Sequence, residues 1–127
     1  MNPRVKALLL DAFASCRAVA EFIEGKNYDD YLSTRLLRRG VERELEIAGE
    51  ALNHAAAEDD EITVLLPDLR AVVGLRNRLI HEYHVIDNRV IWDIANERVP
   101  ELAEQLAVIL NIDSNELHKG IDDATTD

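Results

Sequence analysis

The sequence predicts an all-α fold, a four- to five-helix antiparallel bundle. Three observations carry this. Apolar residues recur at every third or fourth position along most of the chain, no stretch keeps the two-residue alternation of a strand, and Asn, Asp, Pro and Gly fall at helix-length intervals. With 127 residues, 47% of them hydrophobic and 31% charged, the chain can bury one core and should be globular. Residues 1–113 are expected to form that single helical domain. Residues 114–127, rich in Asp, Ser, Asn and Thr and without periodicity, are expected to be a flexible acidic tail.

The elements follow in order. Asn2-Pro3 reads as an N-cap with proline at the first helical position, and Val5, Leu8, Leu9, Ala12, Cys16, Val19, Ala20 and Ile23 then mark one face as far as a stop at Gly25. Asp29 or Asp30 caps a second helix running to about Ala57, with Leu37, Val41, Leu45, Ala48, Leu52 and Ala55 as its buried stripe. Gly40 and Gly49 interrupt good helix formers there, at about 1 kcal/mol each relative to alanine, which points to close approach by a neighbouring helix. Residues 58–66 form an acidic connector, and Pro67-Asp68 opens a third helix. Asp87 caps a last helical region through Val90, Ile91, Ile94, Leu102, Leu106, Ile109 and Leu110, in which Pro100 marks a kink or restart.

Composition bounds function. A net charge of −11 argues against nonspecific binding to nucleic acid or an anionic membrane. Arginines cluster, however, at positions 35–43 and at Arg70, Arg76 and Arg78, so a local positive cleft on an acidic body is possible in charge terms. The longest apolar runs are a few residues, too short for a membrane span. Met1 to Lys6 leads into the amphipathic pattern without a signal-peptide core, which makes the cytoplasm the expected compartment. Cys16, the single cysteine, falls on an apolar face and reads as a buried thiol.

The third helix carries the chemistry. On a helical wheel Leu69, Val72, Val73, Leu79, Ile80 and Tyr83 fall within ~60° of one direction, with Arg76 in their midst. A guanidinium there must pair with a buried acid, for which Glu46 and Glu50 are the candidates, or face a cleft where an anion binds. His81 lies ~140° from Arg76 around the same helix. Either the helix loosens before His81 or the site combines residues from two chains.

Three readings of Arg76, Asn77, His81, Tyr83 and His84 stay open on residue types alone. In the first they are structural, with Arg76 paired to Glu50 or Glu46. In the second, His81, His84, Asp87 and His54 form a metal site, although a complete four-ligand set is not evident. In the third, His81 takes a proton from a ribose 2′-hydroxyl and Arg76 stabilises charge on the phosphate, while Asn77 donates to that phosphate or orients the histidine. That chemistry needs a 2′-hydroxyl, so it cleaves RNA and spares DNA.

Arg76-Asn77-Arg78-Leu79-Ile80-His81-Glu82-Tyr83 resembles the R-x-x-x-x-H-x-Y motif of the HEPN superfamily, and specifically its HepT toxin branch. Leu45-Glu46-Ile47-Ala48-Gly49-Glu50-Ala51 is similar to that family's "leiiGEA" segment. Val90-Ile91-Trp92-Asp93-Ile94 and Val99-Pro100-Glu101-Leu102 resemble its "vW.i…LP.L" segment. The match spans roughly residues 3–112, in order and spacing. Two places depart from it: Pro67-Asp68-Leu69 stands where a tryptophan is common, and Asn27-Tyr28-Asp29-Asp30-Tyr31 replaces the usual "s.eeF..d" start of helix two.

The resemblance implies a dimerising HEPN-like bundle, open to a higher assembly, and a metal- and cofactor-independent endoribonuclease with His81 as acid/base and Arg76 on the phosphate. It implies a toxin paired with a minimal nucleotidyltransferase antitoxin of the MntA type, which attaches AMP to Tyr83. Arg70, Arg78 and His84 are candidate RNA contacts, Asn77 a candidate member of the catalytic set, and Glu50 the supporting partner of Arg76. The main rival is a HEPN module that docks the nucleotidyltransferase without cleaving RNA; a second is a structural helical dimer.

Overall fold

The computed structural model describes residues 1–81 and 87–112, with the backbone alone at His81. These residues are helical with no strand among them, an all-α bundle as predicted. The expected acidic tail lies outside the described residues.

Helix α1 (Pro3–Ile23) starts where the cap predicts, with Asn2 Oδ1 accepting from the Arg4 N–H at 2.8 Å. It stops just before Gly25, whose φ of +72° is a left-handed conformation that only glycine adopts without cost.

The predicted second helix is in fact two. Asn27, and not Asp29 or Asp30, caps α2 (Tyr28–Ser33): Asn27 Oδ1 accepts from the Asp30 N–H at 2.8 Å while Asp30 Oδ2 accepts from the Asn27 N–H at 2.9 Å. Thr34 then takes an extended conformation and α3 (Arg35–Glu58) begins. The break is satisfied, because Arg38 Nη1 reaches back to the carbonyls of Tyr31 and Leu32 that the end of α2 leaves open.

Helices α1 and α3 run antiparallel. Arg4 Nε meets Glu58 Oε1 at 2.7 Å at one end, and Phe22 lies against Gly40 at the other. Their facing stripes follow the predicted ones, with Val5, Leu9 and Val19 opposite a buried row containing Val41, Leu45 and Leu52, except that Ala20 is exposed and Phe13 and Ser15 are buried. Each such fully buried side chain contributes about 1.5–3 kcal/mol.

The acidic connector contains one short helix, α4 (Glu61–Leu65), anchored by the fully buried Ile62. Helix α5 (Leu69–His81) follows Pro67-Asp68 as expected. Its start is fixed by Asp68, a buried carboxylate that accepts from Gln105 Nε2 at 2.9 Å and lies 3.5 Å from Arg98 Nη1.

Asp87 Oδ1 caps α6 (Asn88–Asp93) by accepting from the Arg89 N–H at 2.8 Å. The expected kink or restart at Pro100 takes the form of a π-helical turn, Ile94–Arg98, that leads without a gap into α7 (Val99–Ile109). Proline has no N–H to give and crowds the carbonyl four residues back. Widening the turn relieves both, with the Val99 N–H bonding Ile94 O and Asn96 Nδ2 donating to Trp92 O at 2.8 Å. Residues 88–109 thus form one rod, the fourth beside α1, α3 and α5. Among the described residues no helix is long and apolar enough to cross a membrane.

Candidate functional site

Helix α5 rests on α3 and is flanked by the π turn. Its buried residues are Leu69, Val72, Leu75 and Leu79. That face is centred ~45° from Arg76, so the arginine stands at the margin of the packed surface and not in its middle. Two positions differ from the wheel as a result. Ile80 is 42% exposed, whereas Leu75 is buried. The reason is a second cover: Leu75 lines a small cleft with Arg78, Asp87 and Val90, on the side that the wheel leaves to solvent.

Arg76 crosses α3 at Gly49. A Cβ built on Gly49 would lie 3.0 Å from Arg76 Cγ and 3.0 Å from the Val72 carbonyl oxygen, and closer still to Arg76 Cβ. The close approach expected from a glycine within good helix formers is therefore present, and its partner is the arginine's own stem. At the other glycine the neighbour is a ring edge, with Phe22 Cε2 3.2 Å from a Cβ built on Gly40.

The head of Arg76 is half-buried. Nη1 donates to Asn77 Oδ1 at 2.8 Å, and Nε is buried without a hydrogen-bond partner among the described residues. The ion pair expected with Glu50 or Glu46 is not formed among these residues. Glu46 Oε2 lies 3.3 Å from Arg43 Nη1, and Glu50 Oε1 lies 3.7 Å from His54 Nε2. Helix geometry explains this. Gly49 faces α5, so Glu50, ~100° further round, opens into the groove between α1 and α3 beside Leu8, Asp11 and His54.

Asn77 gains a partner that its residue type does not name: its Oδ1 accepts from Arg76 Nη1, while its Nδ2 amide keeps both hydrogens to donate. Only the residue type signalled a polar role there; the partner could not be read from the sequence.

Helix α5 continues unbroken to His81. Of the two ways to reconcile positions 76 and 81, a loosening of the helix is thereby removed, and they remain ~140° apart around one axis. Arg70 and Arg78 are exposed and lie ~120° and ~160° from Arg76, so α5 does not gather its three arginines on one face. Tyr83 and His84 lie outside the described residues. Among the described residues no group of three or more His, Cys, Asp or Glu is placed to hold a metal ion. His54 is occupied beside Glu50, and Asp87 is spent on capping α6. Burial pushes the Cys16 thiol up to about 12, which makes it the inert core residue expected.

The structure defines a class: a helical bundle that presents an arginine on a helix ending in histidine, with no acidic partner for that arginine among the described residues. More particularly, the chain belongs to the HepT-like ribonuclease family, whose description, "Ribonuclease HepT-like", matches residues 13–109. It is 35% identical over 105 residues to a candidate RNase, MJ1380, of Methanocaldococcus jannaschii, covering 83% of this chain and 95% of that one. It is 34% identical over 95 residues to a candidate RNase, TTE0752, of Caldanaerobacter subterraneus subsp. tengcongensis, covering 75% and 84%. A candidate ribonuclease HepT of Thermococcus cleftensis is 30% identical over 97 residues, 76% of this chain and 87% of that one. No solved structure matches the chain.

Proposed function

We propose that this ribonuclease-family member is a metal-independent endoribonuclease acting as the toxin of a two-component system. Its working site combines Arg76 and His81 at the interface of a homodimer. The observation that carries this reading is the state of Arg76: half-buried, turned by a neutral amide, and without an acidic partner among the described residues. A structural arginine at a helix contact ordinarily has a carboxylate beside it. One without is suited to an incoming phosphate. The unbroken α5 favours the two-chain arrangement, since a second protomer can supply what one helix axis separates.

The chemistry balances as an internal transesterification. Neutral His81 takes the proton from a ribose 2′-hydroxyl, and that oxygen attacks the adjacent phosphorus. The 5′ oxygen leaves and is protonated by an imidazolium, giving a 2′,3′-cyclic phosphate and a 5′-hydroxyl end. Arg76 stabilises the charge that builds on the non-bridging oxygens. Asn77 holds Arg76 in place, and Arg70, Arg78 and His84 remain candidate contacts along the RNA.

Control of the toxin falls to a minimal nucleotidyltransferase that attaches AMP to Tyr83. Five and seven residues past Arg76, positions 81 and 83 belong to the same short motif, so an anionic adduct at Tyr83 would compete with the RNA phosphate for the arginine. The cytoplasm, where RNA is abundant, is the proposed site of action. Arg76→Ala and His81→Ala should each abolish RNA cleavage and growth arrest on expression. Cleavage retained in either variant would contradict the assignment, and tight nucleotidyltransferase binding with no RNA products from wild type would favour a docking module.

A further inference from the structure

We propose that Gly49 is the positioning residue for Arg76. This rests on the function proposed above, and it concerns how α3 sets the reactive arginine rather than what the arginine does. The atoms a Cβ at position 49 would strike are Arg76 Cβ, Arg76 Cγ and the Val72 carbonyl oxygen. Two of these are fixed to, or part of, the α5 backbone, so no rotamer change clears them. Only a shift of α5 as a body does. Its first residue follows Asp68, which Gln105 and Arg98 hold, so the helix would swing about that end and carry positions 76–81 outward.

The other glycines provide the contrast within the same molecule. At Gly40, also in α3, a Cβ would meet only the ring edge of Phe22, which is 39% exposed and free to pivot. At Gly74, in α5 itself, a Cβ would meet nothing within 4 Å. All three substitutions by alanine favour helix equally. A purely local effect of glycine would make them behave alike.

The test reads the arginine directly. The Arg76 Nε–H resonance, assigned by its loss in Arg76→Lys, is followed by NMR alongside RNA cleavage in wild type, Gly49→Ala, Gly40→Ala and Gly74→Ala. Gly49→Ala is expected to speed exchange of that proton with solvent about tenfold or more and to lower kcat about 100-fold, as a displacement of about 1 Å does. KM should change far less. Gly40→Ala and Gly74→Ala should leave the proton and kcat within about twofold. A Gly49→Ala protein with an unmoved Nε–H overturns the inference whatever its activity. A moved Nε–H together with a wild type that cleaves no RNA upholds the positioning and removes the ribonuclease reading. Should Gly49→Ala not fold, the double variant Gly49→Ala/Arg76→Gly, which removes both Arg76 atoms and leaves only the 3.0 Å contact with the Val72 carbonyl oxygen, should regain helix by circular dichroism; no gain over Gly49→Ala alone overturns the arginine stem as the partner.

Discussion

Arg76 Nη1 donates to Asn77 Oδ1 over 2.8 Å, a bond between neighbours on one helix. Adjacent helical side chains leave the axis ~100° apart and do not ordinarily face each other. The arginine reaches its neighbour because its stem is pressed across Gly49 and its head is free to turn back. The choice of amide matters. An aspartate would hold the guanidinium as well and cancel its charge, whereas asparagine fixes the direction and leaves the charge for a ligand.

Asn77→Ala should therefore lower kcat about tenfold, the loss of one hydrogen bond to a charged group, with the fold intact by circular dichroism. Asn77→Asp should lower it further, about 100-fold, because the new carboxylate competes with the phosphate. Initial rates at saturating RNA decide this. Equal activity in Asn77→Asp would show that Arg76 needs no free charge.

Asp68 joins the start of α5 to the 88–109 rod through Gln105 and Arg98. Asp68→Ala should cost about 1–3 kcal/mol, because the half-buried Gln105 amide loses its acceptor and Arg98 its carboxylate. Urea unfolding measures it. Cleavage should fall by less than in Asn77→Asp, since no group on the guanidinium changes.

Much of this architecture is legible in the sequence. The caps at Asn2 and Asp87, the stop at Gly25, the α1 and α3 stripes and the buried Cys16 stand where local chemistry puts them. What is not legible is tertiary. The break at Thr34 depends on Arg38 reaching back across it, and Leu75 is buried only because the 88–98 segment covers it. The pairing of Glu50 with Arg76 that charge and spacing suggest fails because Gly49 occupies the face that Glu50 would need. The close approach at Gly49 could be suspected from its place in α3, but not that Arg76 is what approaches.

Tyr31 is fully buried against Trp92, with ring centroids 5.3 Å apart, and its hydroxyl has no partner among the described residues. Tyr31→Phe removes an unsatisfied polar atom and keeps the shape. It should be neutral or stabilising by up to about 1 kcal/mol in urea unfolding, whereas Trp92→Ala should cost about 3–5 kcal/mol.

Burial pushes the Cys16 thiol in the folded chain up to about 12, well above the value of about 8.5 for an exposed thiol. Its folded value is raised, so the stability it lends is fully present below about pH 8.5 and is lost as pH climbs toward 12. Alkylation at pH 8 should accordingly track unfolding. Rapid labelling of native protein would show that the α1 face opens.

The measurement closest to the central claim is cleavage of total RNA and of a tRNA pool by purified protein in excess EDTA, with His81→Ala and a matched DNA alongside. Intact mass must first show Tyr83 unmodified. RNA fragments bearing 2′,3′-cyclic phosphate are expected from wild type alone, with the DNA untouched. Wild type that cleaves only when a divalent ion is restored, or His81→Ala that cleaves as well as wild type, would contradict that claim.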